Sequence, residues 1–523
     1  MKQQIPSPQD ALDAPRLPSG LRMTRYLIIG AGPAGLQLGY FLKEKGADYL
    51  VLEASDGPGA FFRQFPRHRR LISLNKVHVT GDDPEWRLRW DWNSLLNDSL
   101  LFPAFSSEYF PHADDLVRYL ADFQREHELN VRFHTRVDRI TKHNDLFAVV
   151  SGDRTYHAEC VIIATGWGGP NIPQIEGIEL AEGYEDMPLD GSRFTGRRVL
   201  ILGKGNAAFE TAQALLGHAA VIHLASPRPL KLAWHTKHPG DVRGQYGALL
   251  DSYWFKTLHG VLECEIDRLR RDGDVIKAEI TYTLADGERA ELEYDAVLRC
   301  TGFTMDGSVF AEECAPRRHP NGRIPELRPD WQSVNVDGLY FAGTLMQGRD
   351  LKRASSAFID GFRYNLRTMA RLLTERYDAA PLEGNQVSTD PGPLTQTILD
   401  RLNHSSALWT QFEYLVDVYV PENGGLTLYQ ELPEDYAIER FGDRCLTAGL
   451  HWGPRDIPDV FAIPRHPVPE RAHESAFIHP VIRSWRGGEL TGEQHLLEDL
   501  SARWRDQLRH VEPLQAFLSA TPW

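Results

Sequence analysis

Two apolar runs of the same kind, Tyr26-Leu-Ile-Ile29 and Val199-Leu-Ile-Leu202, each end in glycines and lead into a helical pattern. A short continuous apolar run bounded by turn residues predicts a strand buried on both faces, as in a parallel sheet. The first run opens a strand–helix–strand unit over about residues 24–56, closing on Tyr49-Leu-Val-Leu-Glu53, and the second opens one over about 195–228. Between them, residues 113–127 place Leu116, Tyr119, Leu120 and Phe123 on one face and predict a helix. Alternating strands follow at Val131-Arg-Phe-His134 and Leu146-Phe-Ala-Val-Val150, then a return strand at Val161-Ile-Ile-Ala-Thr-Gly166. The second half repeats this grammar with strands at 278–282 and 290–294 and the return strand Ala296-Val-Leu-Arg-Cys-Thr-Gly302. The chain then comes back through Gly338-Leu-Tyr-Phe-Ala-Gly343 to a helix expected over about 354–376.

This order predicts an α/β protein with two nested Rossmann-like dinucleotide-binding domains, three-layered with β-meander insertions, and a C-terminal mixed α+β domain. The divisions read as a flexible tail at 1–23, a first domain in two pieces at 24–190 and 303–377, and a second domain at 191–302. The polar segment 378–393, with its Pro and Gly residues, reads as a linker to the C-terminal domain at 394–523, where no motif with legible chemistry stands.

Composition excludes several classes. The net charge of −15 argues against nucleic acid or anionic membrane as a partner. The five cysteines, Cys160, Cys264, Cys300, Cys314 and Cys445, are scattered without a Cys-x-x-Cys pair, so neither a disulfide framework nor a metal site is expected. No apolar stretch reaches the roughly 18 residues of a membrane span. The first 22 residues lack the apolar segment of a secretory signal, which makes the cytoplasm the expected compartment.

The glycine loops carry the chemistry. In Gly30-Ala-Gly32-Pro33-Ala34-Gly35 the first glycine permits a tight turn and the second lets backbone approach a pyrophosphate. The third lets helix pack on strand. A helix N-terminus behind such a loop faces the phosphate charge. Glu53, 18 residues past Gly35, is placed to accept hydrogen bonds from ribose hydroxyls, which fits FAD. In the second loop Gly203, Gly205, Asn206 and Ala207 repeat the logic, but its second strand leads to Arg228 and Lys231 with no carboxylate. Those cations suit a 2′-phosphate and favour NADPH over NADH; a basic surface loop is the alternative. The cation-dense segment 61–70 offers Arg63 and Arg69 to a pyrophosphate or a substrate carboxylate, or to solvent. The helix expected near Ala354 would aim its positive end at a flavin, with Gly343 and Gln347 just before it. Gln347 reads equally as a loop residue.

Together the segments 30–35, 164–166 (including Thr165 and Gly166), 203–208 and 338–343 resemble the class B flavoprotein monooxygenase superfamily. The longer strings 65–76, 91–96, 200–211, 342–348 and 358–364 are similar to an endoplasmic-reticulum flavoprotein family associated with degradation. The resemblance implies bound FAD and NAD(P)H, and it aligns Asn75 with the asparagine that flavin-containing monooxygenases hold beside the flavin. Read by itself, Asn75 is a turn residue. The Phe-x-Gly-x-x-x-His fingerprint of the monooxygenases is missing: Phe194-Thr-Gly196 leads into Arg197-Arg-Val199, and Tyr184 stands roughly where the His is expected.

The expectation is therefore an FAD- and NADPH-dependent monooxygenase that oxygenates a small molecule with dioxygen through a C4a-hydroperoxyflavin, with amine N-hydroxylation as first choice. Without a redox-active cysteine pair, electrons from the flavin need another acceptor. An NADPH-dependent reductase or oxidase and an FAD-containing interaction protein remain open alternatives. A homo-oligomer is compatible with the chain. Trp234, His235, His238, Asp241 and Arg243 cluster in an insertion of the second domain and read as a structural loop or as a pocket wall.

Overall fold

The computed structural model describes residues 23–253, 256–422, 424–454 and 457–521. The expected tail therefore lies, apart from Met23, outside the described residues. In the first sheet the parallel strands run in the order Val131–Arg132, Tyr49–Leu52, Met23–Ile29 and Arg154–Ile163, with Leu339–Phe341 beyond. The ten-residue strand Arg154–Ile163 serves two layers. Its C-terminal part lies between Met23–Ile29 and Leu339–Phe341, while its N-terminal part pairs antiparallel with Leu146–Ser151 of the meander. Tyr26, Leu27 and Ile28 are fully buried, as the unbroken apolar run requires.

The turn from strand to helix is built by glycine. Gly30 has φ +105°, and a Cβ on Gly35 would stand 1.9 Å from the Gly30 carbonyl oxygen. The helix Pro33–Glu44 can lie on the sheet only because that Cβ is missing.

The second sheet runs Arg289–Tyr294, Val275–Tyr282, Gly260–Asp272, Val221–Ser226, Arg198–Leu202, Ala296–Arg299 and Glu182–Gly183. Its thirteen-residue strand Gly260–Asp272 escapes the hydrophobic pattern. Only Cys264 and Leu269 on it are buried, and its outer positions carry Glu265, Arg268, Arg270 and Arg271.

The last domain is a six-stranded antiparallel sheet ordered Asn385–Val387, Gly425–Pro433, Leu415–Glu422, Arg444–His451, His479–Arg486 and Glu489–His495. Asn385–Val387, inside the segment read as a linker, forms its edge strand. The core is continuous from Tyr26 through Leu366, Leu394 and Leu415 to Leu518, so this domain and the first share one hydrophobic interior. Ion pairs reinforce the join: Arg367 on the helix Ile359–Asp378 binds Glu431, and Arg401 binds both Glu431 and the fully buried Asp417. Among the described residues no helix is long and apolar enough to cross a membrane.

The helix expected from about residue 354 begins at Ile359. The amide of Ser356 donates to the Asp350 carboxylate at 3.0 Å, and that of Ser355 to Gln411 Oε1 at 3.0 Å, so this backbone is drawn into side-chain hydrogen bonds and turns.

Candidate active site

The first dinucleotide loop and the start of the helix behind the second face one trough. A lobe of about 430 Å³ runs from Gly30, Gly32 and Pro33 to Glu53 and Arg136. It shares Gly32, Pro33, Thr165 and Trp167 with a second lobe of about 380 Å³, which continues past Gly166, Gly343 and Thr344 to Phe358 and Ile359 at the start of the long helix. The far wall of the second lobe is Asn206, Ala207 and Glu210, from the helix behind the second glycine loop.

The residues fit a dinucleotide on several counts. A Cβ on Gly32 or Gly205 would meet nothing within 4 Å, so at both loops the backbone faces open space. No side chain caps either following helix, which leaves first-turn amides and the positive helix end for a phosphate. Glu53, buried at the strand end, lines the first lobe. Its Oε2 accepts from the Ala31 amide at 2.7 Å, and Oε1 accepts from the Ser55 amide and hydroxyl at 2.9 and 2.7 Å. A carboxylate has about four acceptor positions, so one remains for a ribose hydroxyl. Gly203 repeats the Gly30 conformation at φ +121°, with its Cβ position 2.4 Å from the Cys300 carbonyl.

Other expected residues stand elsewhere. Arg63 pairs with Asp56, and Arg69 pairs with Asp114 and donates to the Phe62 carbonyl at 2.7 Å; neither lines the trough. Gln347 is folded onto its own loop, donating to the Thr344 carbonyl at 2.8 Å. Asn75 is buried, gives its amide to the Ser106 carbonyl at 2.6 Å and lines neither lobe. The asparagine on this side of the wall is Asn93, whose buried Oδ1 has no partner among the described residues. Asn206 lines the trough, yet its amide donates to the Gly240 and Asp241 carbonyls at 3.0 Å each and its oxygen accepts from Arg243 N at 3.0 Å. It fastens the 233–244 insertion to the glycine loop. Arg228 and Lys231 are exposed beyond the strand Val221–Ser226. Arg323, whose guanidinium lies against Gly302, feels the charge of Arg228, so two cations gather at that edge.

Sequence reasoning missed two features here. Lys204 of the second loop is buried and paired with Glu263, the register partner of Ser226. Glu263 supplies the carboxylate that the segment after residue 224 lacks, and Lys204 neutralises it. Glu210 is also buried, accepting from the His68 amide at 3.1 Å and the Tyr184 hydroxyl at 3.2 Å. Burial pushes its carboxyl up to about 7, against the opposing hydrogen bonds. Tyr184, which also accepts from the Arg67 amide at 2.9 Å, stacks with Phe65 at 5.8 Å between centroids. With Phe303 these rings form an apolar side of the trough. A Glu one turn into a dinucleotide helix is the only sequence signal for Glu210.

All five cysteines are free and buried. Desolvation raises the thiol of Cys300 to about 12 and that of Cys264 to about 11, so neither offers a thiolate at neutral pH.

The pyridine nucleotide-disulphide oxidoreductase family matches residues 27–343, more than half of the chain. The chain belongs to this family. It is a flavoprotein oxidoreductase. FAD-dependent oxidoreductase domain-containing protein 2 of Mus musculus is 33% identical, over 94% of this chain and 83% of that protein. The similarity therefore continues into the C-terminal domain, beyond the family's matched residues. Among solved structures, a flavin-containing monooxygenase from Stenotrophomonas maltophilia superposes with TM-score 0.52 at 22% identity. It covers 68% of this chain and 99% of its own. A bacillithiol disulfide reductase from Staphylococcus aureus superposes with TM-score 0.50 at 19% identity, again over 68% and 99%. At those identities the likeness concerns the fold.

Proposed function

We propose that this oxidoreductase holds FAD in the trough, is reduced by NADPH, and oxygenates a small molecule with dioxygen, nitrogen of an amine being the first target to try. One observation carries the reading: the first glycine loop and the start of the helix behind the second line the same trough, so two nucleotide cofactors can meet. Bound FAD supplies two-electron chemistry between a pyridine nucleotide and an acceptor. Phe65, Tyr184 and Phe303 keep that side of the trough apolar and dry. Glu210, raised to about 7, can hold or release a proton in the wall near neutral pH. The cations Arg228, Lys231 and Arg323 support a 2′-phosphate and hence NADPH.

Five buried thiols without a pair leave no internal disulfide to receive electrons. They also support a reducing compartment, for which the cytoplasm is the reading. Among the relatives, a monooxygenase of Gibberella zeae is 26% identical over 58% of this chain. A reductase or oxidase is the second reading, favoured by Tyr184 where a monooxygenase histidine is expected. Turnover with NADPH, candidate amines and isotope-labelled dioxygen separates the two. Label in the organic product supports oxygenation; NADPH consumption with label only in peroxide or water overturns it in favour of the second reading.

A further inference from the structure

A separate cavity of about 530 Å³ lies beside the trough, where three parts of the chain meet. Its walls come from residues 74–92 and 352–360 of the first domain, the 233–244 insertion of the second, and residues 409–412, 452 and 478 of the C-terminal domain. His238 and Phe358, 5.7 Å apart between ring centroids, stand between it and the trough, one lining each. Five of the chain's twelve tryptophans line it: Trp90, Trp92, Trp234, Trp409 and Trp452. Its lining holds six Lys and Arg residues, of which Lys352 pairs with Asp241, and the carboxylate of Asp360, although the chain as a whole is strongly acidic.

Arg89 is the decisive residue. It is 1% exposed, its Nη2 donates to the Leu402 carbonyl at 2.9 Å, and among the described residues its Nε and Nη1 have no partner. Its guanidinium lies over the rings of Trp409 and Trp86, 5.1 and 5.3 Å from their centroids. Lys76 lies 3.0 Å from the centre of Trp92, a ring that Arg243 also approaches at 5.8 Å. Buried cations with unmatched donors are costly unless an anion pairs with them, and broad indole faces favour a flat ligand. Because the C-terminal domain supplies Trp409, Phe412 and Trp452, the cavity is complete only with that domain in place.

We propose that this cavity binds an aryl carboxylate, its ring between the tryptophans and its carboxylate on Arg89 and Lys76. That the ligand is the molecule oxidised rests on the proposed function above; that it binds does not. Isothermal titration of the purified holoprotein with indole-3-carboxylate and with indole-3-carboxamide isolates the charge. The carboxylate binds at least about tenfold more tightly, and Arg89→Met brings the two within about twofold. Equal affinities in the wild-type protein, or tighter binding of tryptamine, overturn the inference. If Arg89→Met does not fold, Lys76→Met narrows the same ratio, and the wild-type ratio decides on its own. Flavin reduction by NADPH, followed in the same preparation, reports separately on the oxidoreductase reading. A failure of either is therefore distinguishable from a failure of the other.

Discussion

Glu210→Gln exchanges a buried acid for a neutral group of the same shape, able to accept from the His68 amide and to bond the Tyr184 hydroxyl. The carboxyl lies at about 7 in the folded protein against an ordinary 4.5. At about 1.4 kcal/mol for each tenfold, ionising it in place costs about 3 kcal/mol. The sign follows from proton uptake. Between 4.5 and 7 the folded chain holds a proton that the unfolded chain has released, so this group's contribution to stability falls as pH rises through that window and is level above it. The variant lacks that loss. Thermal unfolding of the two proteins side by side between pH 4 and pH 8.5 is the assay. They unfold together at the acid end, and by pH 8 the variant is the more stable by about 3 kcal/mol, or roughly 3 °C for a chain of this length. Parallel profiles, or a wild-type protein that gains on the variant as pH rises, would refute the burial argument.

Gly32→Val and Gly205→Val separate the two loops: each side chain enters open space from an extended backbone, so unfolding temperatures stay close to wild type. Gly32→Val loses the visible absorbance of bound flavin, and Gly205→Val keeps it but loses at least about tenfold in reduction by NADPH; retained flavin in the first variant contradicts the assignment. Replacing both Arg228 and Lys231 with Ala raises the KM for NADPH about tenfold or more and leaves that for NADH nearly unchanged; equal effects on both would show a basic loop that touches no 2′-phosphate. Truncation after residue 393 strips the face of the continuous core carrying Leu394 to Leu518, and the fragment aggregates; a soluble, flavin-bound fragment would show the domains to be independent.

Local signals in the sequence specify the fold most directly. The runs at 26–29 and 199–202, the glycines behind them and the helix Ala113–Glu126 each follow from a period or a turn requirement confined to a few neighbours. What escaped is set by distant partners. The strand Gly260–Asp272 has a charged outer face, and its place depends on pairing with Val221–Ser226 on one side and Val275–Tyr282 on the other. The start of the helix Ile359–Asp378 is displaced by Asp350 and Gln411, neither of which a window around residue 354 weighs correctly. At the site, the positions of Gly30, Gly32 and Glu53 on the trough follow from the spacing of the loop. Arg63 and Arg69 stand apart from the trough, paired with Asp56 and Asp114. Asn206 matched the motif yet holds the neighbouring insertion in place, a role visible only with both segments folded. The C-terminal domain stayed silent because its contribution is to complete a cavity whose other walls lie far earlier along the chain, at Lys76 to Trp92 and at Trp234.

The central claim is that one trough brings two nucleotide cofactors together. Anaerobic titration of the purified protein with NADPH, followed at the visible absorbance of the flavin, tests it most directly. One equivalent of NADPH per bound FAD bleaches the wild-type spectrum, and air restores it. Protein that binds FAD yet stays oxidised under excess NADPH and NADH, or that retains no FAD at all, contradicts the account.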